Sequence, residues 1–175
     1  MGIRNFDLNI IKEVLQKDNK DFNGLKIMQL GDQMYREKGI RAKEYLESLG
    51  STVVSIDING LGGSLPIDLS KIIDNPEYQG KFDLITNCGT SEHVSDHLIC
   101  FENIYNFCSK NGIIYNIVPK KGCWNRGCHR NAHKYDIAFF EEWAKDHFCE
   151  ILISKIVTKQ ERFYDDMVMA VLKKG

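Results

Sequence analysis

The stretch LKIMQLG, residues 25–31, is an apolar run that stops at a glycine, and the other elements of the chain can be placed around it. Two later stretches repeat the arrangement: TVVSID (52–57) stops at an acid, and FDLITNC (82–88) stops before another glycine. Runs that are apolar on both faces are typical of central strands in a parallel sheet. Ligands of open α/β sheets bind beyond the carboxyl ends of the strands, so the three runs predict a nucleotide-type cofactor site.

Strand-like and helix-like segments alternate along the rest of the chain. Apolar residues at helical spacing predict helices over 6–15, 40–49, 96–110 and 136–147, the last with Asp136 as its N-cap. Further strands are expected at 66–71 (PIDLSK), 113–118, 149–157 and 166–173, with the final two antiparallel. This alternation predicts an α/β fold with a doubly wound, Rossmann-like, mostly parallel sheet. A barrel of alternating strands and helices would need about 250 residues.

Size, composition and charge narrow the class of protein. The chain has 175 residues, 43% of them hydrophobic and 27% charged, which predicts a single globular domain over 1–175 with an N-terminal helix inside 1–20. The formal net charge of −1 gives no general electrostatic case for nucleic acid or an anionic membrane. No run approaches the about 18 apolar residues of a membrane span, and the first 22 residues do not resemble a signal peptide. We therefore expect a cytoplasmic protein whose six cysteines are reduced.

With these elements placed, the chain resembles the class I S-adenosylmethionine-dependent methyltransferases over roughly residues 25–172. Four motifs carry the resemblance: IMQLGDQ (27–33), VSIDING (54–60), LPIDLS (65–70) and FDLITNCGTSEHV (82–94). The EHV that follows the fourth strand resembles the small-molecule branch of that family. The resemblance implies seven strands with the last antiparallel, S-adenosyl-L-methionine as cofactor, and methyl transfer to a small-molecule acceptor.

The cofactor implied by the resemblance has a ribose diol, an adenine, an amino-acid head and a sulfonium. A carboxylate at Asp57 can accept hydrogen bonds from both ribose hydroxyls, and Gly31 lets the backbone approach closely. Asp68 can accept a hydrogen bond from the adenine amine, and carbonyls of 87–89 can meet the ammonium. The implied cofactor-binding residues are Gly31, Asp32, Gln33, Asp57, Ile58, Asp68, Leu69, Asn87, Cys88, Gly89 and Glu92.

Some of these residues also have plain structural interpretations. Asp57 and Asp68 can each cap the turn that follows them, since aspartate is a common turn residue.

The first loop, GDQMYREKG, has a single glycine before Gly39, whereas the family has two or three. This departure leaves open a degenerate, non-catalytic S-adenosylmethionine-binding module or a partner subunit. A nicotinamide-dependent reductase is disfavoured because no G-x-G-x-x-G opens the first helix.

The polar and basic segment 120–135 is the predicted acceptor-site loop, again by resemblance. Three histidines, His93, His129 and His133, are the candidates for catalysis because imidazole can take a proton near neutral pH. Trp124 and Tyr135 are candidate walls of the acceptor pocket. The lysines and arginines of this loop keep RNA or DNA as a further alternative acceptor, although no NPPY or DPPY signature follows the fourth strand.

Residue types that bind zinc also occur in this loop, at Cys123, Cys128, His129 and His133. Their spacing, C-x4-C-H-x3-H, is not that of a standard zinc finger. A second set with metal-like spacing, His93, His97 and Cys100, would share one face of a helix that the sheet buries in any case. We therefore assign no metal ligand from the sequence. The acceptor and the oligomeric state are also left open.

Overall fold

The computed structural model describes residues 2–123, 127–162 and 165–175. The predicted pocket residue Trp124 lies outside the described residues. The helices in this part of the chain are α1 (Asn5–Lys17), α2 (Ala42–Ser48), α3 (His97–Phe107), α4 (Ile137–Asp146) and α5 (Lys159–Arg162). The strands described are β1 (Gly2–Ile3), β2 (Lys26–Leu30), β3 (Met34–Tyr35), β4 (Ile40–Arg41), β5 (Thr52–Ile56), β6 (Phe82–Cys88), β7 (Cys108–Pro119), β8 (Cys149–Val157) and β9 (Met167–Lys174).

The main sheet has the strand order β5–β2–β6–β7–β9–β8. The first four of these strands are parallel, and β9 runs antiparallel to both β7 and β8. The expected α/β, Rossmann-like, mostly parallel sheet with an inserted antiparallel last strand is thereby confirmed. The strand count is corrected, because the main sheet of the described chain has six strands and not seven.

The missing strand is the one predicted at 66–71. Among the residues described, only a single bridge between Ile56 and Leu65 extends the sheet in this direction. Pro66 follows at once and has no N–H to donate to a ladder. The carboxylate of Asp68 then accepts hydrogen bonds from the backbone and the hydroxyl of Ser70, at 3.0 and 2.6 Å. The chain therefore turns here instead of continuing as a strand.

Both faces of the main sheet are covered by helices, as a doubly wound fold requires. One apolar cluster lies between the sheet and α1 and α2, and the other lies between the sheet and α3 and α4. Successive strand residues alternate between the two clusters: Ile27 belongs to the first and Met28 to the second. Among the described residues, no helix is long and apolar enough to cross a bilayer.

Two predicted helix boundaries were wrong. The helix expected over 40–49 begins only at Ala42, because Ile40 and Arg41 pair with β3 in a small three-stranded sheet with β1. The helix expected to reach Lys110 ends at Phe107, because Cys108 already pairs with Phe82 of β6. In both places strand pairing outweighs the local helical pattern.

The N-terminal helix α1 is joined to the rest of the fold by a buried ion pair. Arg162 donates hydrogen bonds from Nε and Nη2 to the carboxylate of Asp7, at 2.9 and 2.8 Å. The hydroxyl of Tyr115 on β7 donates to the same carboxylate at 2.7 Å. Three elements that are far apart in sequence therefore share one carboxylate that has no contact with solvent.

Candidate functional site

A cavity of about 430 Å³ opens where β2, β5 and β6 end. This is the position at which open α/β sheets bind ligands, and the volume lies in the range of small-molecule sites. The lining residues are Gly31, Asp32, Gln33, Ile56, Asp57, Ile58, Ile67, Asp68, Leu69, Ser70, Gly89, Thr90, His93, Val94 and Ser95.

Gly31, at the end of β2, has a backbone conformation that strongly favours glycine, with φ at +81°. A Cβ added there would lie 2.6 Å from Thr90 Oγ1 and 2.9 Å from Gln33 Nε2. The first loop thus passes close to the turn after β6 at this point. A side chain at this position would fill the space where the two loops meet beside the cavity.

The Asp57 carboxylate is held at the end of β5 by two backbone N–H groups. Oδ2 accepts from the N–H of Asp32 at 3.0 Å, and Oδ1 accepts from Asn59 at 3.1 Å. A carboxylate has about four lone-pair positions, so each oxygen can accept one more hydrogen bond. The turn-capping and ligand-binding interpretations of Asp57 are therefore compatible with each other.

Side chains, and not extra glycines, hold the first loop in place. The carboxylate of Asp32 forms an ion pair with Arg41. Gln33 Nε2 donates to the carbonyl of Leu30 at 3.1 Å and to Thr90 Oγ1 at 3.0 Å. These contacts fix a loop that lacks the glycine-rich sequence, and they leave Gly31 as the point of close backbone approach.

Gln33 also offers an acceptor that its neighbours do not use. Its Oε1 is buried and has no hydrogen-bond partner in the part of the chain that the structure describes, while the residue lines the cavity. A buried polar group without a partner costs about 1–3 kcal/mol relative to a satisfied one. The site would recover that free energy if a ligand donated a hydrogen bond to Gln33.

Asp68 and Leu69 line the far side of the cavity, with Ile58 exposed at its edge. Hydrogen bonds from Ser70 and the charge of Lys71 lower the pKa of Asp68. Asp68 is therefore an anion at neutral pH that both closes its own turn and borders the cavity.

The residues predicted at the end of β6 occupy different places. Gly89 lines the cavity, but Asn87 and Cys88 are buried and do not. The Asn87 amide donates to Ser91 and Asn116 and accepts from the N–H of Thr90 and Ser91, so it shapes the turn after the strand. Cys88 packs in the cluster beneath α1, and burial raises its thiol pKa well above the ordinary value.

Glu92 is the most unusual charged group near the site. Its side chain is fully buried and does not line the cavity, and neither carboxylate oxygen has a hydrogen-bond partner among the described residues. Burial raises the pKa of this carboxyl to about 7. Its Oε1 lies 3.8 Å from Nε2 of His93, which is within ion-pair distance when that ring is protonated.

Four of the five histidines of the chain meet beside the cavity in two pairs. The ring centroids of His93 and His129 are 4.9 Å apart, and those of His97 and His133 are 4.1 Å apart. Burial lowers the pKa of His93, His97 and His129. Imidazoles in these positions favour their neutral form, which can accept a proton or bind a metal ion.

The segment after β6 is clamped to the 127–135 segment. The backbone N–H of His133 donates to the carbonyl of Glu92 at 2.8 Å. The ammonium of Lys134 donates to the carbonyls of His129 and Ala132, at 2.7 and 2.8 Å. The buried ring of Tyr135 lies edge-on to His97, with centroids 5.6 Å apart.

Of the predicted site residues, nine line the cavity: Gly31, Asp32, Gln33, Asp57, Ile58, Asp68, Leu69, Gly89 and His93. Asn87, Cys88, Glu92, His129 and His133 lie close by but outside the lining. Thr90, Val94 and Ser95 were not predicted as site residues. They border the cavity because the chain makes a short 3-10 turn after β6. The signal was present in TSEHVS, whose serine and threonine residues are typical of a turn at a strand end.

Comparison with known proteins identifies the fold. The structure is similar to a 1,6-didemethyltoxoflavin-N1-methyltransferase of Burkholderia thailandensis, with bound 1,6-didemethyltoxoflavin and S-adenosylhomocysteine (TM-score 0.65, 13% identity, 97% of this chain and 79% of that chain covered). It is also similar to the magnesium protoporphyrin IX methyltransferase of Synechocystis with bound SAM (TM-score 0.65, 13% identity, 96% and 78% covered). A third similar structure is the cyclase SpnF (TM-score 0.64, 10% identity, 95% and 80% covered).

No family model matches the chain, and no curated protein matches it in sequence. At identities of 10–13%, these structural similarities establish the Rossmann-like methyltransferase fold. One of the three is described as a cyclase, so the fold by itself does not fix a reaction.

Proposed function

We propose that this chain binds S-adenosylmethionine in the cavity at the ends of β2, β5 and β6 and transfers its methyl group to a small-molecule acceptor. The observation that carries the proposal is the Asp57 carboxylate, preoriented by two backbone N–H groups at the cavity wall. The similar structures with bound SAM or S-adenosylhomocysteine support the choice of ligand.

The residues around the cavity fit the parts of this cofactor. Asp57 accepts hydrogen bonds from the ribose hydroxyls through its remaining lone pairs. The free Oε1 of Gln33 accepts from the ammonium of the amino-acid head, which relieves its unsatisfied burial. Asp68, Leu69 and Ile58 border the adenine, with the carboxylate of Asp68 as acceptor for the exocyclic amine.

The acceptor approaches from the side of the histidine pairs. His93 lines the cavity, and His129 and His133 lie behind it on the 120–135 loop. The cofactor supplies an electrophilic methyl group, and the chain supplies position and orientation, which account for much of the rate enhancement in such displacements. The lowered pKa values of His93 and His129 favour neutral rings, so in the metal-free site this wall can receive the proton of an acceptor O–H, N–H or S–H.

Methyl transfer is tested with S-adenosylmethionine labelled in its methyl group. The purified chain is incubated with a panel of small hydroxyl, amine and thiol compounds, and separately with RNA and DNA, and the labelled product is counted. We expect label in a small molecule. Transfer to RNA or DNA alone would contradict the proposed acceptor class.

The second candidate is a non-catalytic member of the same fold that binds the cofactor without turnover. The single glycine of the first loop favours it. Binding of S-adenosylhomocysteine without label in any acceptor, across the whole panel, would select this candidate over the enzyme.

A further inference from the structure

A cluster of metal-binding side chains lies beside the cavity. Ligand atoms of His93, Cys128 and His129 all lie within 4.8 Å of one another. These residues come from two segments separated by 34 positions, so their convergence results from the fold and not from local spacing. We propose that they form a zinc site.

The residue types suit zinc better than other common ions. Two imidazoles and one thiolate are nitrogen and sulfur ligands, which Zn²⁺ prefers, whereas Mg²⁺ and Ca²⁺ prefer oxygen. In a tetrahedral zinc site the ligand atoms are about 3.3–3.7 Å apart, given Zn–N and Zn–S bonds of about 2.0–2.3 Å. His93 and Cys128 are exposed, so rotation of their side chains can close the remaining gap of about 1 Å.

Glu92 provides an independent observation at the same place. Within residues 2–123, 127–162 and 165–175 its fully buried carboxylate has no hydrogen-bond partner, and Oε1 lies 3.8 Å from His93 Nε2. Metal-bound histidines are commonly oriented by a carboxylate. A metal ion here gives this buried carboxylate a cationic centre to face and accounts for its position behind His93.

The protein holds the two ligand segments together without a metal. The hydrogen bond from His133 to the carbonyl of Glu92 joins them, and the ammonium of Lys134 fixes the carbonyls of the 129–132 turn. Preorganised ligands lose less conformational entropy on binding an ion. Lys134 is also a nearby positive charge, which the carboxylate of Glu92 offsets.

The sequence suggested two sets of possible metal ligands, and in the fold the members of each set lie in different places. Cys123 packs against the apolar cluster beneath α1, and Cys100, on α3, is fully buried in the apolar cluster between α3 and the sheet. His97 stacks on His133, outside the three-residue cluster. The structure therefore selects two residues from the first set, Cys128 and His129, and one from the second, His93.

Three protein ligands leave a fourth position for water or a substrate, as in catalytic zinc sites. His93 also lines the cavity, so the ion would lie next to the acceptor. This part of the inference rests on the proposed function: the ion would bind an acceptor oxygen, nitrogen or sulfur and lower its pKa. The ligand assignment itself does not depend on methyl transfer.

The test is a titration of the reduced, chelator-stripped full chain with Co²⁺, followed by displacement with Zn²⁺. We expect one ion per chain, visible bands of tetrahedral cobalt with a thiolate charge-transfer band, and a Zn²⁺ dissociation constant below about 1 μM. Cys128→Ser is expected to remove the thiolate band, and His93→Asn to weaken binding by about 100-fold or more.

The matched control is Cys123→Ser, which changes another thiol of the same loop and should leave the spectrum and the affinity unchanged. Circular dichroism of each variant shows that the fold is intact. A thiolate band that persists in Cys128→Ser, or the absence of stoichiometric binding by the wild type, would overturn the site. S-adenosylhomocysteine binding is measured separately on the metal-free chain, so a failure of the cofactor proposal is distinguished from a failure of the metal site.

Discussion

Single residues decide the geometry of the cavity. Gly31 provides the close approach between the first loop and the turn after β6, and Asp57 provides the oriented carboxylate. Gln33 compensates for the missing glycines by bonding to Leu30 and Thr90. The loop therefore keeps one indispensable glycine and replaces the others with side-chain hydrogen bonds.

Substitution of Gly31 by alanine is expected to destabilise the fold through both strain and overlap. The new Cβ meets Thr90 Oγ1 and Gln33 Nε2, at a cost of about 1–3 kcal/mol beyond the strain of positive φ. Gly24→Ala is the matched control, because its φ of +78° is nearly the same and its Cβ would meet nothing within 4 Å. Urea unfolding of both variants measures the difference. Equal losses of unfolding free energy would contradict the close approach at Gly31.

Asp57→Ala is expected to weaken S-adenosylhomocysteine binding by about 10- to 100-fold, since hydrogen bonds to a charged group contribute about 1.5–3 kcal/mol. Calorimetric titration measures the dissociation constant. Asp74→Ala, which removes an exposed carboxylate outside the cavity lining, controls for the change in net charge. Unchanged affinity in Asp57→Ala would rule out the ribose assignment.

At the scale of elements, the fold is held together by contacts between distant segments. The carboxylate of Asp7 joins α1 to β7 and to α5 through Tyr115 and Arg162. The ion pair of Asp7 and Arg162 is buried away from water. Removing one partner of a buried ion pair leaves the other charge uncompensated. The position of α1 over the sheet therefore depends on this carboxylate as well as on the apolar cluster beneath the helix.

Asp7→Ala is therefore expected to lower the unfolding free energy by about 3–5 kcal/mol. Asp18→Ala serves as comparison, because it removes the ion pair of Asp18 with Lys173 at the partly exposed end of the same helix. Surface pairs contribute little, so this variant should lose far less stability. Chemical denaturation of both variants measures their unfolding free energies. Similar losses of unfolding free energy in the two would show that the buried network does not fix α1.

Local sequence patterns predicted the long elements and failed at the short ones. The apolar runs of β2, β5 and β6 and the cap at Asp136 were readable because burial and capping act over a few residues. The two-residue strands β3 and β4 were not, since two residues carry no periodic pattern and the strands form only by pairing with each other and, for β3, with β1. The strand predicted in PIDLSK failed because Pro66 and the Asp68 turn outweigh a weak apolar pattern.

At the scale of the whole molecule, the sheet brings two kinds of chemistry to one edge. The ends of β2 and β5 supply the cavity walls with carboxylates, and the segments after β6 and β7 supply the histidines. The sequence analysis named the residues of both groups. The sequence could not show which of these side chains would lie close together. Whether His93 meets His97, Cys123 or Cys128 depends on how the 127–135 segment packs against α3.

The central claim is that the cavity is a binding site for S-adenosylmethionine and its demethylated product. The most direct test is calorimetric titration of the metal-free wild-type chain with S-adenosylhomocysteine. We predict one site per chain with a dissociation constant in the micromolar range, which is about −8 kcal/mol. Two results together would contradict cofactor binding in this cavity. They are the absence of binding heat at more than one temperature and the absence of a rise in the unfolding midpoint at high ligand concentration.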